Sequence, residues 1–186
     1  DPEVAVEPIT ENVFVVWYEA NSVKVMRYDR KAGTWGTAKT LESRGSPTHA
    51  AVVRDASGHI IVAWAQESNS ADPNLPGVWT SRSSDGIAWT DPQRLAAGRI
   101  FTLSFAMARN GIARMAWSSE TGPSLKGLFT AYFDKTSWIV EAAPVLEPGD
   151  PAAYDPYDPK PQLAIGGTGD GILTFAVRDA NRLDSL

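Results

Sequence analysis

Cysteine is absent from the 186 residues. Disulfides, thiolate nucleophiles and cysteine-ligated metals are therefore excluded within them, and the redox compartment is left open. Histidine is scarce, with two residues; strand parity puts His49 and His59 at opposite ends of the strands read below, so no metal pair is expected. Positive charge is in deficit: 17 Lys and Arg against 22 Asp and Glu leave a formal charge of −5. A nucleic-acid binder needs a basic stripe to neutralise phosphates, and docking on anionic lipid needs the same sign. Neither partner is expected. No apolar run approaches the roughly 18 residues of a spanning helix, so no membrane span is expected. Asn-x-Ser/Thr sequons, a Ser-His-Asp order, a P-loop and a dinucleotide fingerprint are all missing. The opening "DPEVAVEP" carries neither Met nor a signal peptide and reads as a mature or trimmed end.

What is present is apolar, aromatic and punctuated. Hydrophobic residues make up 43% of the sequence, enough for a core, and seven Trp stand among thirteen Pro and fifteen Gly. Short apolar runs broken by Gly and Pro read as all-β. The runs also repeat. "VAVEPITENVFVVW" (4–17), "AAVVRDASGHIIVAW" (50–64) and "SFAMARNGIARMAW" (104–117) share one plan: apolar run, polar turn, alternating run ending in Trp. A fourth copy, "QLAIGGTGDGILTFAV" (162–177), keeps the spacing without the Trp. Between them lie "VKVMRYDRKAGTWGTAKTL" (23–41), "VWTSRSSDGIAWTDPQRL" (78–95) and "LFTAYFDKTSWIVEAAPVL" (128–146), in which Asp29, Asp85 and Asp134 close one strand and Trp35, Trp89 and Trp138 open the next.

The unit is four short strands, a to d, and it occurs three times, followed by an a–b pair. A tandem array of such units predicts a β-propeller. A lone four-stranded sheet cannot bury both faces, so each blade needs neighbours. The expected fold is all-β: one partial propeller over 1–186, with blade 1 at about 1–43, blade 2 at about 44–97, blade 3 at about 98–148 and half of blade 4 at about 149–186. Three and a half blades leave the ring incomplete. The remainder of the propeller, in the same polypeptide or a second chain, is the expected partner. A flat β-sandwich does not explain the repeat.

The stretch "SSDGIAW" (83–89) resembles the Asp-box repeat of the sialidase-like propeller superfamily, one residue shorter than usual between Asp85 and Trp89. "RYDRKAGTW" (27–35) and "YFDKTSW" (132–138) look like degenerate copies, and "GSPTHAAVVRDASGHIIVAWAQ" (45–66) resembles blades of bacterial secreted or surface members. The resemblance implies a propeller outside the cell or on its surface, acting on or binding glycans. Within the box, Ser83, Asp85, Gly86 and Trp89 read as a structural turn: Gly tolerates positive φ, the carboxylate accepts amides of its own turn, and the Trp buries its face between blades. The arginine cluster, nucleophile and acid/base that the resemblance would require of a sialidase are not recognisable. "SRGSP" with Arg44 and Pro47 has the wrong spacing for the family's Arg-Ile-Pro, so no catalytic residue is assigned.

Strand parity places the Asp box and the a–b turns at one end of the blades, and the longer b–c and d–a loops at the other. Long loops on a rigid scaffold are where binding usually resides. Glu67 and Glu120 lie three residues past a strand-b Trp, while Glu19 and Asp179 lie two past the equivalent position. Such a rim could meet sugar hydroxyls, hold a cation or supply acid/base groups, or it could be solvated strand ends. "GDPAAYDPYDPKP" (149–161) interleaves Asp150, Asp155 and Asp158 with Tyr154 and Tyr157. It reads as a stiff connector, with a sugar-stacking platform or a calcium loop as alternatives. The Asp-x-Asp-x-Asp-Gly order of a calcium loop is missing, and no cofactor or metal is expected. Trp79, which starts strand c, could stack on a sugar or fill an inter-blade gap; Arg178 sits near the same face. The sequence favours a non-catalytic module that recognises a glycan or cell-surface protein. Part of a sialidase-like hydrolase and a structural module of a surface assembly are the alternatives.

Overall fold

The computed structural model describes residues 2–7, 10–67, 72, 74–122, 125–142 and 161–175, the side chains of 120–126 excepted. Among these there is no helix; every regular element is a strand. The first sheet runs β1 (Glu3–Val6), β2 (Val13–Glu19), β3 (Ser22–Asp29), and then a divided outer strand, β4 (Thr34–Trp35) and β5 (Lys39–Glu42), both pairing with β3. The second is β6 (Ser46–Arg54), β7 (Ile60–Glu67), β8 (Gly77–Ser83) and β9 (Gln93–Ala97). The third is β10 (Arg99–Met107), β11 (Ala113–Gly122), β12 (Leu125–Phe133) and β13 (Trp138–Val140), and β14 (Gln162–Ile165) pairs with β15 (Gly171–Thr174). All pairings are antiparallel, and all but that of β3 with β5 join chain neighbours.

Successive sheets touch through their first strands, β1 with β6, β6 with β10 and β10 with β14. The sheets thus stand face to face around a common axis, which is the arrangement of a β-propeller: three four-stranded blades and a half blade, with the ring open.

Alternation along each strand sends neighbouring side chains into different interfaces. Ile60, Val62 and Trp64 of β7 join Phe14, Val16, Val23 and Val25 of the first sheet, while Ala63 and Ala65 join Ile100, Met115 and Trp117 of the third. Nearly all of β7 is therefore buried. The equally apolar β2 is buried only at every second residue, because among the described residues a single sheet packs against it.

One detail of the predicted register changes. Trp138 does open its strand, and Trp35 ends the short β4, but Trp89 precedes β9 by four residues. The backbone at 84–88 is gathered onto Asp85, and Pro92 has no N–H to enter the ladder. Pairing with β8 accordingly starts at Gln93, opposite Thr80.

Candidate functional site

The tight corner after β8 is closed by its own side chains. Ser83 Oγ accepts the Gly86 amide at 2.7 Å and donates to Asp85 Oδ1 at 3.0 Å. Asp85 Oδ1 also accepts the amides of Ile87 and Ala88 at 2.8 and 2.9 Å. These amides, Ile87 foremost, then Ala88 and the Ser83 hydroxyl, hold the Asp85 carboxyl below its ordinary value. After β12, Asp134 repeats the arrangement on the amides of Thr136 and Ser137, and Ser137 followed by Thr136 lowers its carboxyl as well. Trp89 packs against the core shared by the first two sheets. Ser83 Oγ and Asp85 Oδ1 are thus engaged within the turn, while the buried indole N–H of Trp89 meets no partner among the described residues.

The opposite ends of the strands carry the acidic rim. Glu67 ends β7 opposite Ser46 and is half-buried. Glu120 lies in register with Arg99 and Lys126. Glu19 is paired with Lys24 and accepts the Trp17 indole N–H at 3.4 Å. Trp79 faces the first sheet, donates its indole N–H to the Leu75 carbonyl at 2.9 Å and lies beneath the Arg44 guanidinium, 5.4 Å from the ring centre. Arg44 in turn grips the buried Glu42 with bonds of 2.9 and 2.8 Å. Burial pushes the Glu42 carboxyl up, but Arg44 and the amides of Arg44 and Ser43 outweigh it and leave the group lowered. Asp150, Tyr154, Asp155, Tyr157, Asp158, Arg178 and Asp179 lie outside the described residues.

A different group of residues converges where the first strands meet. A depression of about 510 Å³ is lined by Glu3 of β1, Tyr18 of β2, His49 of β6, Thr102 and Ser104 of β10 and Gln162 of β14. Glu3, Tyr18 and Gln162 sit at the d–a or b–c ends of their strands, and His49, Thr102 and Ser104 lie near the middle of theirs. The depression thus runs from the face of the long loops into the centre of the inner strands. His49 is exposed with φ at +50°, at a bulge where the β6–β7 register shifts between Thr48 and Ala51. Thr102 Oγ1 shares a 2.5 Å hydrogen bond with Ser118 Oγ, and Ser104 Oγ accepts the Leu163 amide at 3.1 Å, tying β14 to the third sheet. Sequence reasoning followed the loops and missed these residues, which come from five strands in four successive sheets. The available signal was a polar side chain inside an inner apolar strand, as in "SPTHAAVV" and "RIFTLSFAM". Among the described residues no group of three or more His, Asp or Glu could hold a metal ion.

No protein family matches the sequence, and no curated protein does. Solved structures do resemble it. The NanB sialidase from Streptococcus pneumoniae superposes with a TM-score of 0.58 at 12% identity, over 95% of this chain and 27% of that one. The α-L-arabinofuranosidase from Lactobacillus brevis gives 0.54 at 14% identity, over 99% and 66%. The endo-arabinase from Bacteroides thetaiotaomicron gives 0.54 at 12%, over 96% and 70%. This chain thus spans about a quarter of the first protein's length and two thirds of the second's. What it shares with them at such identities is architecture: the chain folds as an open set of β-propeller blades.

Proposed function

We propose that this chain is a non-catalytic, extracellular propeller module that recognises a glycan in the central depression on the face of the long loops. The observation that carries the reading is the depression itself. The inner strands of successive sheets present hydroxyls, an imidazole, an amide and one carboxylate around a single concavity, a mixture suited to sugar hydroxyls. Glycoside hydrolysis ordinarily uses two carboxylates flanking the scissile bond, and Glu3 is the one carboxylate among the described lining residues. Glu67, Glu120 and Trp79, with Asp150, Tyr154, Asp155, Tyr157, Asp158, Arg178 and Asp179, are proposed as the outer part of the same binding face. Fold neighbours named as a sialidase, an arabinofuranosidase and an endo-arabinase favour a second reading, part of a glycoside hydrolase.

A glycan screen followed by calorimetry, run beside assays on chromogenic glycosides, separates the two. Binding without turnover is expected, with Glu3→Gln weakening affinity about tenfold through loss of a charge-assisted hydrogen bond. Turnover abolished by Glu3→Gln, Glu67→Gln or Glu120→Gln would establish the hydrolase instead. A blank screen together with a stable protein complex would leave a structural module.

The proposed partner that completes the ring meets the outer face of the first sheet. Val15 and Trp17 are repeat-equivalent to Val62 and Trp64, and Val4 to Val52, through matching strand registers. Trp64 is wholly buried by the preceding sheet, whereas Trp17 is half-buried; Val52 is 8% exposed and Val4 55%. A face that each following blade covers is bare on the first, so a further blade of the same kind, on this polypeptide or another, is its fitting occupant.

A further inference from the structure

The end of the blades that carries the tight turns also holds a cavity, larger than the central depression and on the opposite face. It measures about 620 Å³ and lies between the second and third sheets. Strand parity explains its walls: the turn between β6 and β7 (Asp55 to His59), the corner after β8, the turn between β10 and β11 and the turn after β12 all emerge there. Its floor is apolar, formed by Ile61, Met107 and Phe133.

The charges around this floor are unbalanced. Asp55 is the one carboxylate among the described lining residues, and it is buried and already occupied. Its Oδ1 accepts the amides of Ser57 and His59, both at 2.9 Å, and its Oδ2 meets His59 Nδ1 at 2.8 Å. Asp134, beside the cavity in sequence, is likewise engaged by two amides of its own turn. The cations of the cavity have no such partners. Arg82 lies over the Phe133 ring at 4.9 Å and donates to the Thr136 carbonyl, and Lys135 is exposed. Among the described residues neither forms an ion pair. In a chain of net charge −5, the result is a cavity with an apolar floor and two cations without an ion-pair partner on its rim.

We propose that this inter-blade cavity is a second binding site, independent of the central depression, for a small carboxylate carried on an apolar body. Its apolar part rests on Ile61, Met107 and Phe133, and its carboxylate meets Arg82 and Lys135. The volume is that of a small-molecule site, and the Arg82 guanidinium, placed over Phe133, keeps donors for an anion. A neutral or cationic ligand of the same shape would gain the floor but not the rim.

The test uses three matched probes, 4-phenylbutyrate, 4-phenylbutanol and 4-phenylbutylamine, titrated into the protein by calorimetry and by amide NMR shifts. The carboxylate should bind about tenfold more tightly than the alcohol, and the amine most weakly. Shifts should centre on 55–61, 82–90 and 133–136 and leave the central depression unmoved. Lys135→Gln and Arg82→Gln should each narrow the preference for carboxylate over alcohol, and together abolish it, while alcohol binding persists. Lys135 is an exposed turn residue, so its variant keeps the test decisive even where Arg82→Gln lowers stability. Absence of binding by all three probes overturns the proposal. So does equal affinity for carboxylate and alcohol, a carboxylate preference unchanged in Lys135→Gln, or shifts centred on His49 and Thr102.

Discussion

Gly86 gives the sharpest test of what the corner after β8 does. Its φ of +73° is left-handed, and a Cβ there would stand 2.3 Å from Phe14 Cε1 and 2.9 Å from Cζ. Phe14 is 2% exposed and belongs to the core between the first two sheets. Gly86→Ala therefore combines two costs. Left-handed backbone in an L-residue costs about 1–2 kcal/mol, and forcing a methyl into a packed ring costs about 1–3 kcal/mol. The sum is about 2–5 kcal/mol, or a fall in Tm of roughly 5–15 °C for a chain of this length. Denaturant unfolding of the single variants, and of Gly86→Ala in a Phe14→Leu background, separates the two parts. With the ring replaced by the smaller Leu, the backbone cost should remain and the steric cost should shrink, giving a coupling of about 1–3 kcal/mol between residues of different blades. A penalty below about 0.5 kcal/mol, or the same penalty in both backgrounds, would refute the claim that this turn is an inter-blade clamp.

Replacing Asp85 with Ala should lower Tm and leave glycan affinity at the central depression unchanged, as differential scanning calorimetry and binding titration would show. Because the folded carboxyls of Asp85 and Asp134 are held below the ordinary aspartate value of 3.8, the unfolded chain binds more protons than the folded one as pH falls. Their contribution is full above that value and lost below it, so Tm should drop more steeply on acidification than in the Asp85→Asn, Asp134→Asn double variant. Arg54, whose side chain is 3% exposed, is paired across the first inter-blade interface with Glu7, at 14%. Glu7→Ala should cost about 3 kcal/mol by stranding that charge, and Arg54→Met in the same chain should recover much of it in urea melts. Trp64→Ala should cost about 3–5 kcal/mol, as for other buried aromatics. Trp17→Ala should cost clearly less in residues 1–186, and equal losses would argue against the bare outer face of the first sheet.

Blade number and strand order were legible because they rest on local chemistry. Apolar runs of period two, glycines six residues before Trp64 and Trp117 and aspartates before turns all act over a few residues. The end of the blades at which each loop emerges followed from parity alone. The start of β9 was not legible, since the Asp85 turn and Pro92 delay pairing beyond the Trp that periodicity marks. The central depression was not legible either. Glu3, His49, Thr102 and Gln162 are each unremarkable within their own strands, and only the closing of sheet against sheet brings them together. The same holds for burial. "VFVVWY" and "IIVAWA" are equally apolar, yet β2 has one covered face and β7 two. The sequence by itself determined the repeat, the strands and the turns, because hydrogen-bonding pattern and side-chain alternation are properties of neighbouring residues. Which faces are covered, which polar groups share a cavity and which cations stay unpaired were decided by the tertiary structure, because they depend on what stands opposite.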